Sequence, residues 1–165
     1  MDVDEAVEVV DERGAVTAVV PRTAMRSGNL RHRSVGIVVC SGSKVLVHQR
    51  ADWKDVWPSR WDLAFGGVCD VGERFTDAAL RELAEEAGIT VTEDELLDLG
   101  DGWYDGDEVR VVARLYAVAH DGPFTLPDGE VQRVEWLERD ELAAWAATHE
   151  LCDDSRELLL PRLAS

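Results

Sequence analysis

The chain has 165 residues, 45% of them hydrophobic, which suits one compact domain, and we expect residues 1–165 to form it. The formal net charge is −17, whereas proteins that bind nucleic acid duplexes usually present a basic face, so the composition argues against a duplex as partner. No apolar run approaches the roughly 20 residues that span a bilayer and the first residues show no signal-peptide pattern, so we expect a cytoplasmic protein without membrane contact.

Strands predominate in the first half of the chain. Valine-rich runs at 5–10 and 16–20 flank Asp11-Glu12-Arg13-Gly14 and predict a β-hairpin, the main part of an N-terminal extension over about residues 5–30. Runs at 34–40 and 45–50 flank a Ser-Gly-Ser-Lys turn and predict a second hairpin. We expect a loop at 52–60, then a short strand at 62–65 that ends at Gly66 and Gly67.

The second half begins with the clearest helix, predicted over 77–87. Thr76 or Asp77 can cap its start, and Gly88 follows where a C-terminal glycine belongs. Its apolar residues at helical spacing are Leu80, Leu83, Ala84 and Ala87. Strands are predicted at 96–103, 109–118 and 131–137, and closing helices at 140–148 and 152–160. This order of elements predicts a mixed α/β domain.

Three glutamates on the predicted helix suggest a metal site. Glu82, Glu85 and Glu86 lie at i, i+3 and i+4, so a helix is expected to place them on one face. Clustered carboxylates favour a hard cation with oxygen ligands, such as Mg²⁺ or Mn²⁺. The alternative is a solvent-facing acidic helix, which is common in acidic proteins. Arg81 follows Glu73 by eight residues and can pair with it if the preceding loop folds back.

The whole segment from Gly67 to Ile89 resembles the Nudix box, Gly-x5-Glu-x7-Arg-Glu-U-x-Glu-Glu-x-Gly-U, where U is aliphatic. It matches at every defined position, with Glu73, Arg81 and Gly88 among the fixed residues. Seven fixed residues at roughly 5–7% usage each make a chance match rarer than about 10⁻⁸ per starting position. The resemblance implies an α/β/α sandwich with a mixed sheet and a metal-dependent hydrolase that cleaves a diphosphate linkage in a small organic or nucleoside diphosphate.

The resemblance also implies roles for the acidic residues. Glu85 and Glu86 are the expected primary metal ligands, and Glu82 is either a ligand or the base that activates water. The carbonyl of Gly67 is expected to complete the coordination. Nudix enzymes often add a carboxylate from a later loop, for which Glu130 is the candidate, although a surface glutamate is an equal interpretation. Glu73 and Arg81 are expected to brace the loop, and a homodimer is common in the family.

A narrower resemblance points to the isopentenyl diphosphate isomerase-like branch of the same family. It rests on three N-terminal stretches, 8–12, 22–26 and 30–33, and on Gly122-Pro123-Phe124. The isomerases have a catalytic cysteine where this chain has Gly66, and histidines where it has Val68 and Met25. His32 alone matches one of their metal-binding histidines, and Cys69 lies two residues beyond Gly67. Isomerisation and a non-catalytic nucleotide-sensing module therefore stay as alternatives to hydrolysis.

Four residues outside the box are candidates for binding substrate. Arg50 and Arg60 can each clamp a phosphate with the guanidinium fork, although a surface ion pair is the equal alternative for each. Trp103 and Tyr104 lie at a predicted strand end, where an aromatic ring can stack on a base. Trp61 and Trp136 are expected in the core instead.

Overall fold

The computed structural model describes residues 4–164. It begins with an antiparallel hairpin of β1 (Ala6–Val10) and β2 (Val16–Pro21), which confirms the predicted hairpin. The short helix α1 (Arg22–Ser27) follows directly. It was not predicted, because six residues are too few to show a helical pattern of apolar residues.

The sheet is built around one long central strand. β3 (His32–Ser41) pairs in parallel with β8 (Arg110–Ala119) from His32 to Cys40. On its other side it pairs antiparallel with β6 (Phe65–Val68) and, at its end, with β4 (Lys44–Arg50). β4 pairs in turn with β5 (Trp61–Asp62) and β9 (Val131–Glu138), and β7 (Leu97–Asp105) forms the edge beyond β8. The sheet is mixed, as predicted.

The predicted single strand at 62–65 is wrong. The Asp62 carboxylate accepts a hydrogen bond from the amide of Ala64 at 3.2 Å, and this turn separates β5 from β6. Gly66 and Gly67 lie inside β6 rather than after a strand. A Cβ atom at Gly66 would lie 1.9 Å from the carbonyl oxygen of Val35, so the close backbone approach requires glycine there.

Helix α2 (Phe75–Ala87) contains the predicted helix but begins two residues earlier. The predicted caps are wrong, because Arg74 occupies the N-cap position without a side-chain cap and Asp77 lies within the first turn. Gly88 ends the helix in the left-handed conformation, at φ 68°, as expected. The buried face is rotated from the predicted stripe: Leu83 and Ala87 are buried, but Ala84 is exposed.

Helices cover both faces of the sheet. On one face α2 packs on residues from β3 and β6, including Val35, Ile37 and Phe65. On the other face lie α3 (Leu142–Ala146) and α4 (Leu160–Leu163), preceded by a 3₁₀ turn (Arg139–Glu141) and a wide π-type turn (Ser155–Leu159) respectively. The predicted helix at 140–148 contains α3, whereas most of the predicted helix at 152–160 is the π-type turn and α4 begins only at its last residue. The fold is therefore the predicted α/β/α sandwich. Within residues 4–164 no helix has the length and apolar character to cross a membrane.

Candidate active site at the acidic helix and the adjoining cavity

Two carboxylates are buried on the inner face of α2. Glu82 and Glu86 stand one helical turn apart and are only 7% and 6% exposed. Glu82 lies directly on the backbone of β6, since a Cβ atom built on Gly67 would be 2.6 Å from its Oε1. Glycine at position 67 therefore makes room for the carboxylate beside the strand.

Glu85 is oriented differently from the other two glutamates. Its side chain is 51% exposed, and its Oε2 lies 3.4 Å from the guanidinium of Arg81. The expectation that all three carboxylates share one face is therefore wrong: Glu82 and Glu86, four residues apart, point inward together, while Glu85 points to the rim. The rotation follows from the packing of Leu83 and Ala87 into the core, which turns position 85 outward.

Glu130 joins the buried pair from the loop before β9. Its backbone carbonyl accepts a hydrogen bond from the amide of Ala51, which holds the loop beside the end of β4. Its carboxylate accepts a hydrogen bond of 2.9 Å from the ammonium of Lys54. Burial disfavours the charge of Glu130, but the contacts with Lys54, Asp128 and Arg50 together outweigh burial and lower its pKa. Its charge acts on both Glu82 and Glu86.

Burial shifts the acid–base properties of the pair. It raises the pKa of Glu82 to about 7, against the nearby charge of Arg81, and it raises the pKa of Glu86 well above its ordinary value. Glu82 and Glu130 add to the shift of Glu86 through like-charge repulsion. The pair therefore favours a bound proton or a nearby cation.

The donor set has the chemistry of a divalent-cation site. It consists of carboxylate oxygens beside a glycine backbone, which suit a hard cation. Among residues 4–164, however, no three His, Cys, Asp or Glu side chains stand close enough to hold a metal ion as arranged. Two protein cations contact the acids instead: Arg81 lies 2.8 Å from Glu82, and Lys54 pairs with Glu130. A bound metal ion would neutralise the carboxylate charge that Arg81 and Lys54 now neutralise.

Arg81 ties the loop before α2 to the helix. Its Nε and Nη2 donate to the two carboxylate oxygens of Glu73 at 3.0 and 2.9 Å, and Nη2 also donates to the carbonyl of Val68. A second link comes from β1, where Glu8 accepts a hydrogen bond from the amide of Gly72 and lies 3.6 Å from Arg33. The loop before α2 is therefore held by α2, through Arg81, and by β1, through Glu8.

A cavity of about 140 Å³ opens beside the acidic pair. Glu86 and Gly67 line one part of it, and Arg50 and His32 also line it. The other candidates for substrate binding lie elsewhere: Arg60 pairs with Asp153 at 3.1 Å, Trp103 is 46% exposed, and Tyr104 packs edge-on against the ring of Trp57. Trp103 and Tyr104 were expected at a strand end, where they could face a pocket, but neither lines this cavity.

The cavity contains residues that the sequence did not bring together. Lys54 and Trp57 line it from the loop before β5, Asp62 from β5 and Asp154 from a segment near the C-terminus. Their spacing along the sequence carries no periodic or motif signal, because only the packing of distant segments brings them together.

The three positions that bear on isomerase chemistry do not form a thiol site. A cysteine at Gly66 would collide with the carbonyl of Val35. Cys69 is 3% exposed within the core beneath α2, where burial raises the pKa of its thiol to about 12. His32 lies against the cavity, 2% exposed, with Nδ1 2.9 Å from the carbonyl oxygen of Leu30. Burial lowers the pKa of His32 to about 4 and keeps it neutral.

Comparison with known proteins agrees with this geometry. The NUDIX domain family model matches residues 30–159. The chain is 36% identical over 141 residues to the uncharacterised Nudix hydrolase YfcD of Escherichia coli K12, covering 85% of this chain and 77% of YfcD. It is 35% identical over 150 residues to an uncharacterised Nudix hydrolase of Rhodococcus erythropolis, covering 86% and 81%.

Two solved structures share the fold. DR0079 of Deinococcus radiodurans superposes with a TM-score of 0.82 at 24% identity, covering 98% of this chain and all of DR0079. The NUDIX domain of NrtR from Shewanella oneidensis, crystallised with ADP-ribose, superposes with a TM-score of 0.62 at 19% identity, covering 79% of this chain and 84% of that domain.

Proposed function

The chain belongs to the Nudix hydrolase family, whose members act on phosphorus-containing anhydrides, and we propose that it cleaves the diphosphate linkage of a small organic or nucleoside diphosphate with Mg²⁺ or Mn²⁺ as cofactor. The observation that carries the proposal is the pair of buried glutamates, Glu82 and Glu86, beside an open cavity. Two carboxylates withdrawn from water, of which Glu86 lines the cavity, are costly unless a cation joins them.

Glu82, Glu86 and Glu130, with the carbonyl of Gly67, are the proposed metal-binding groups. Glu85 joins them from the rim when its contact with Arg81 opens. A bound divalent cation would polarise the phosphoryl oxygens and lower the pKa of the attacking water. Glu82 is proposed as a ligand or as the base. For the role of base its pKa, which burial raises to about 7, lies near the operating pH.

Cations near the acids are proposed to hold the phosphates. Arg50 lines the cavity and donates two hydrogen bonds to the carbonyl of Val56, which fixes its guanidinium. Lys54, paired with Glu130, can turn to a phosphate oxygen once a metal ion neutralises that glutamate. The NrtR domain, which shares the fold, binds ADP-ribose, and this supports a small-molecule diphosphate as the substrate class.

The isomerase alternative has less support. The position of its catalytic cysteine is Gly66, where the carbonyl of Val35 leaves no room for a side chain. Cys69 lies in the core and does not line the cavity. We therefore favour hydrolysis, and we treat kinship with the isomerase-like branch as a proposal that rests on the N-terminal resemblance alone.

The test is phosphate or nucleotide release from a panel of nucleoside diphosphate sugars, dinucleotides, CoA esters and free nucleotides, with and without Mg²⁺. We expect Mg²⁺-dependent release from at least one class. Glu86→Gln should lower it by about 100-fold or more, because a lost metal ligand removes several kcal/mol of transition-state stabilisation. Glu157→Gln, an exposed acid outside the cavity, is the matched control and should keep full activity. Full activity in Glu86→Gln would overturn the assignment.

A further inference from the structure

The cavity beside Glu86 continues away from the acidic helix between apolar walls. Val111, Ala113 and Leu115 line one wall from alternate positions of β8, and Leu158 and Leu159 line another from the turn before α4. A cavity of about 150 Å³ with such walls can hold a benzene ring. The volume of about 140 Å³ therefore leaves space for a single aromatic ring.

The cavity has a second polar region formed by two carboxylates. Asp62, on β5, accepts hydrogen bonds from the amide of Ala64 and the hydroxyl of Ser155. Asp154 accepts one hydrogen bond through Oδ1, from the amide of Ser155 at 2.8 Å, and its Oδ2 has no partner among residues 4–164. Burial and the charge of Asp62 raise the pKa of Asp154 to about 7. Asp154 is thus a hydrogen-bond acceptor on the cavity wall with one oxygen free.

Trp57 closes the cavity from the loop before β5. It is 6% exposed, and its indole Nε1 is buried without accessible surface and without a hydrogen-bond partner among residues 4–164. Trp57 therefore contributes its ring, and not a hydrogen-bond donor, to the cavity wall.

Four cations line the cavity. They are Lys54, Arg50, and Arg22 and Arg26 from α1. Against the three acids of the lining, Asp62, Glu86 and Asp154, they give it a formal charge of +1, in a chain with a formal net charge of −17. An anionic group is therefore expected to enter together with the ring.

We propose that this cavity binds the nucleobase of a nucleoside diphosphate derivative, and that Asp154 selects a base carrying an exocyclic amine. The proposal rests on the proposed function, since the cations hold the phosphates and the base fills the space between the apolar walls. The amine donates to the free oxygen of Asp154. A purely apolar group such as an isoprenoid chain would leave this carboxylate oxygen unpaired, which is unfavourable.

The test measures binding and not turnover. Nucleoside 5′-monophosphates lack the diphosphate linkage, so titration calorimetry with Mg²⁺ present reports affinity alone. Cytidine and uridine monophosphates, and adenosine and inosine monophosphates, form pairs that exchange an amine for an oxo group. At pH 8.5, above the raised pKa of Asp154, we expect the wild-type protein to bind at least one amine member about 10-fold or more tightly than its oxo partner, the usual effect of a hydrogen bond to a charged group.

Asp154→Asn should abolish or reverse this preference, because the asparagine amide can donate to an oxo group. Glu157→Gln, an exposed acid three residues along the chain, should preserve it. Equal affinities for the members of both pairs in the wild-type protein, or an unchanged preference in Asp154→Asn, would overturn the proposal. The comparison of nucleotide affinities in the wild-type protein tests the proposal even if Asp154→Asn does not fold.

The two proposals fail separately. Release of phosphate from other diphosphates without any nucleotide binding would overturn the base-binding cavity and leave hydrolysis in place. Selective binding of the amine members by a protein that hydrolyses no diphosphate would overturn the proposed function and leave the cavity assignment in place.

Discussion

Among single residues, Cys69 provides the most direct test of whether the reaction is hydrolysis or isomerisation. It packs in the core beneath α2 with Phe65, Ala78 and Leu83, and burial raises the pKa of its thiol. A nucleophilic or acid–base thiol needs access to substrate and a pKa nearer neutrality. Cys69 has neither property, so its role is packing.

We therefore predict that Cys69→Ala keeps diphosphate hydrolysis within about 2-fold while the melting temperature falls only slightly. Cys69→Ser should lower the melting temperature further, because an unpaired buried hydroxyl costs about 1–3 kcal/mol. Turnover is measured at a temperature at which both variants are folded. If both substitutions abolish turnover in folded protein, and the parent converts isopentenyl diphosphate to its allylic isomer, the reaction is isomerisation.

At the scale of elements, the loop before α2 is held to the helix by a bidentate ion pair. The side chain of Glu73 is 13% exposed and that of Arg81 is 28% exposed. The hydrogen bonds from Arg81 are the main reason that the pKa of Glu73 is lowered. Because the loop follows directly after the backbone of Gly67, its position sets the geometry beside Glu82.

A double-mutant cycle on this pair is the element-scale prediction. Glu73→Gln and Arg81→Ala should each lower stability in urea unfolding, and their effects should be non-additive by about 0.5–3 kcal/mol. Turnover should fall on the order of 100-fold, since a displacement of about 1 Å in a catalytic element has that effect. Arg74→Ala removes exposed ion pairs with Asp77 and Glu93 and is the control, expected to lower stability much less than either brace substitution. If the two losses of stability simply add, Glu73 and Arg81 do not form a pair that holds the loop to the helix.

The same elements show which structural features could be predicted from the sequence and which could not. Gly88 and the apolar spacing of Leu83 and Ala87 predicted α2, because helix ends and faces depend on nearby residues. The break between β5 and β6 was missed, since it depends on a turn at Asp62 and on the close approach of Gly66 to β3. Pairing with a strand about 30 residues earlier is not encoded in the local pattern.

For the whole molecule, the helix that carries the glutamates was predictable and the cavity was not. The box placed Glu82, Glu85 and Glu86 within one helix, but packing buries Glu82 and Glu86 and leaves Glu85 at the rim. Asp62, Trp57 and Asp154 meet in the cavity only through the tertiary fold. A formal net charge of −17 does not predict that four cations line it.

The buried acids should make metal-free stability depend on pH. Folding raises the pKa of Glu82 from 4.5 to about 7, and that of Asp154 from 3.8 to about 7, in both cases mainly through burial. The folded chain then holds more protons than the unfolded chain between these values, so the stability that these groups contribute is lost as the pH rises towards 7. Glu86 shifts in the same direction.

We predict that the metal-free melting temperature falls between pH 5.5 and pH 8, and that Mg²⁺ restores it. The rise with Mg²⁺ should be larger at pH 8, because metal binding needs deprotonated carboxylates and must displace protons at the lower pH. Glu86→Gln should raise the metal-free melting temperature at pH 8 and remove most of the response to Mg²⁺, since it eliminates one buried charge and one proposed ligand. Glu157→Gln, measured alongside by differential scanning fluorimetry, should behave like the parent. An equal Mg²⁺ response at both pH values, or a full response in Glu86→Gln, would show that the buried glutamates are not where the cation binds.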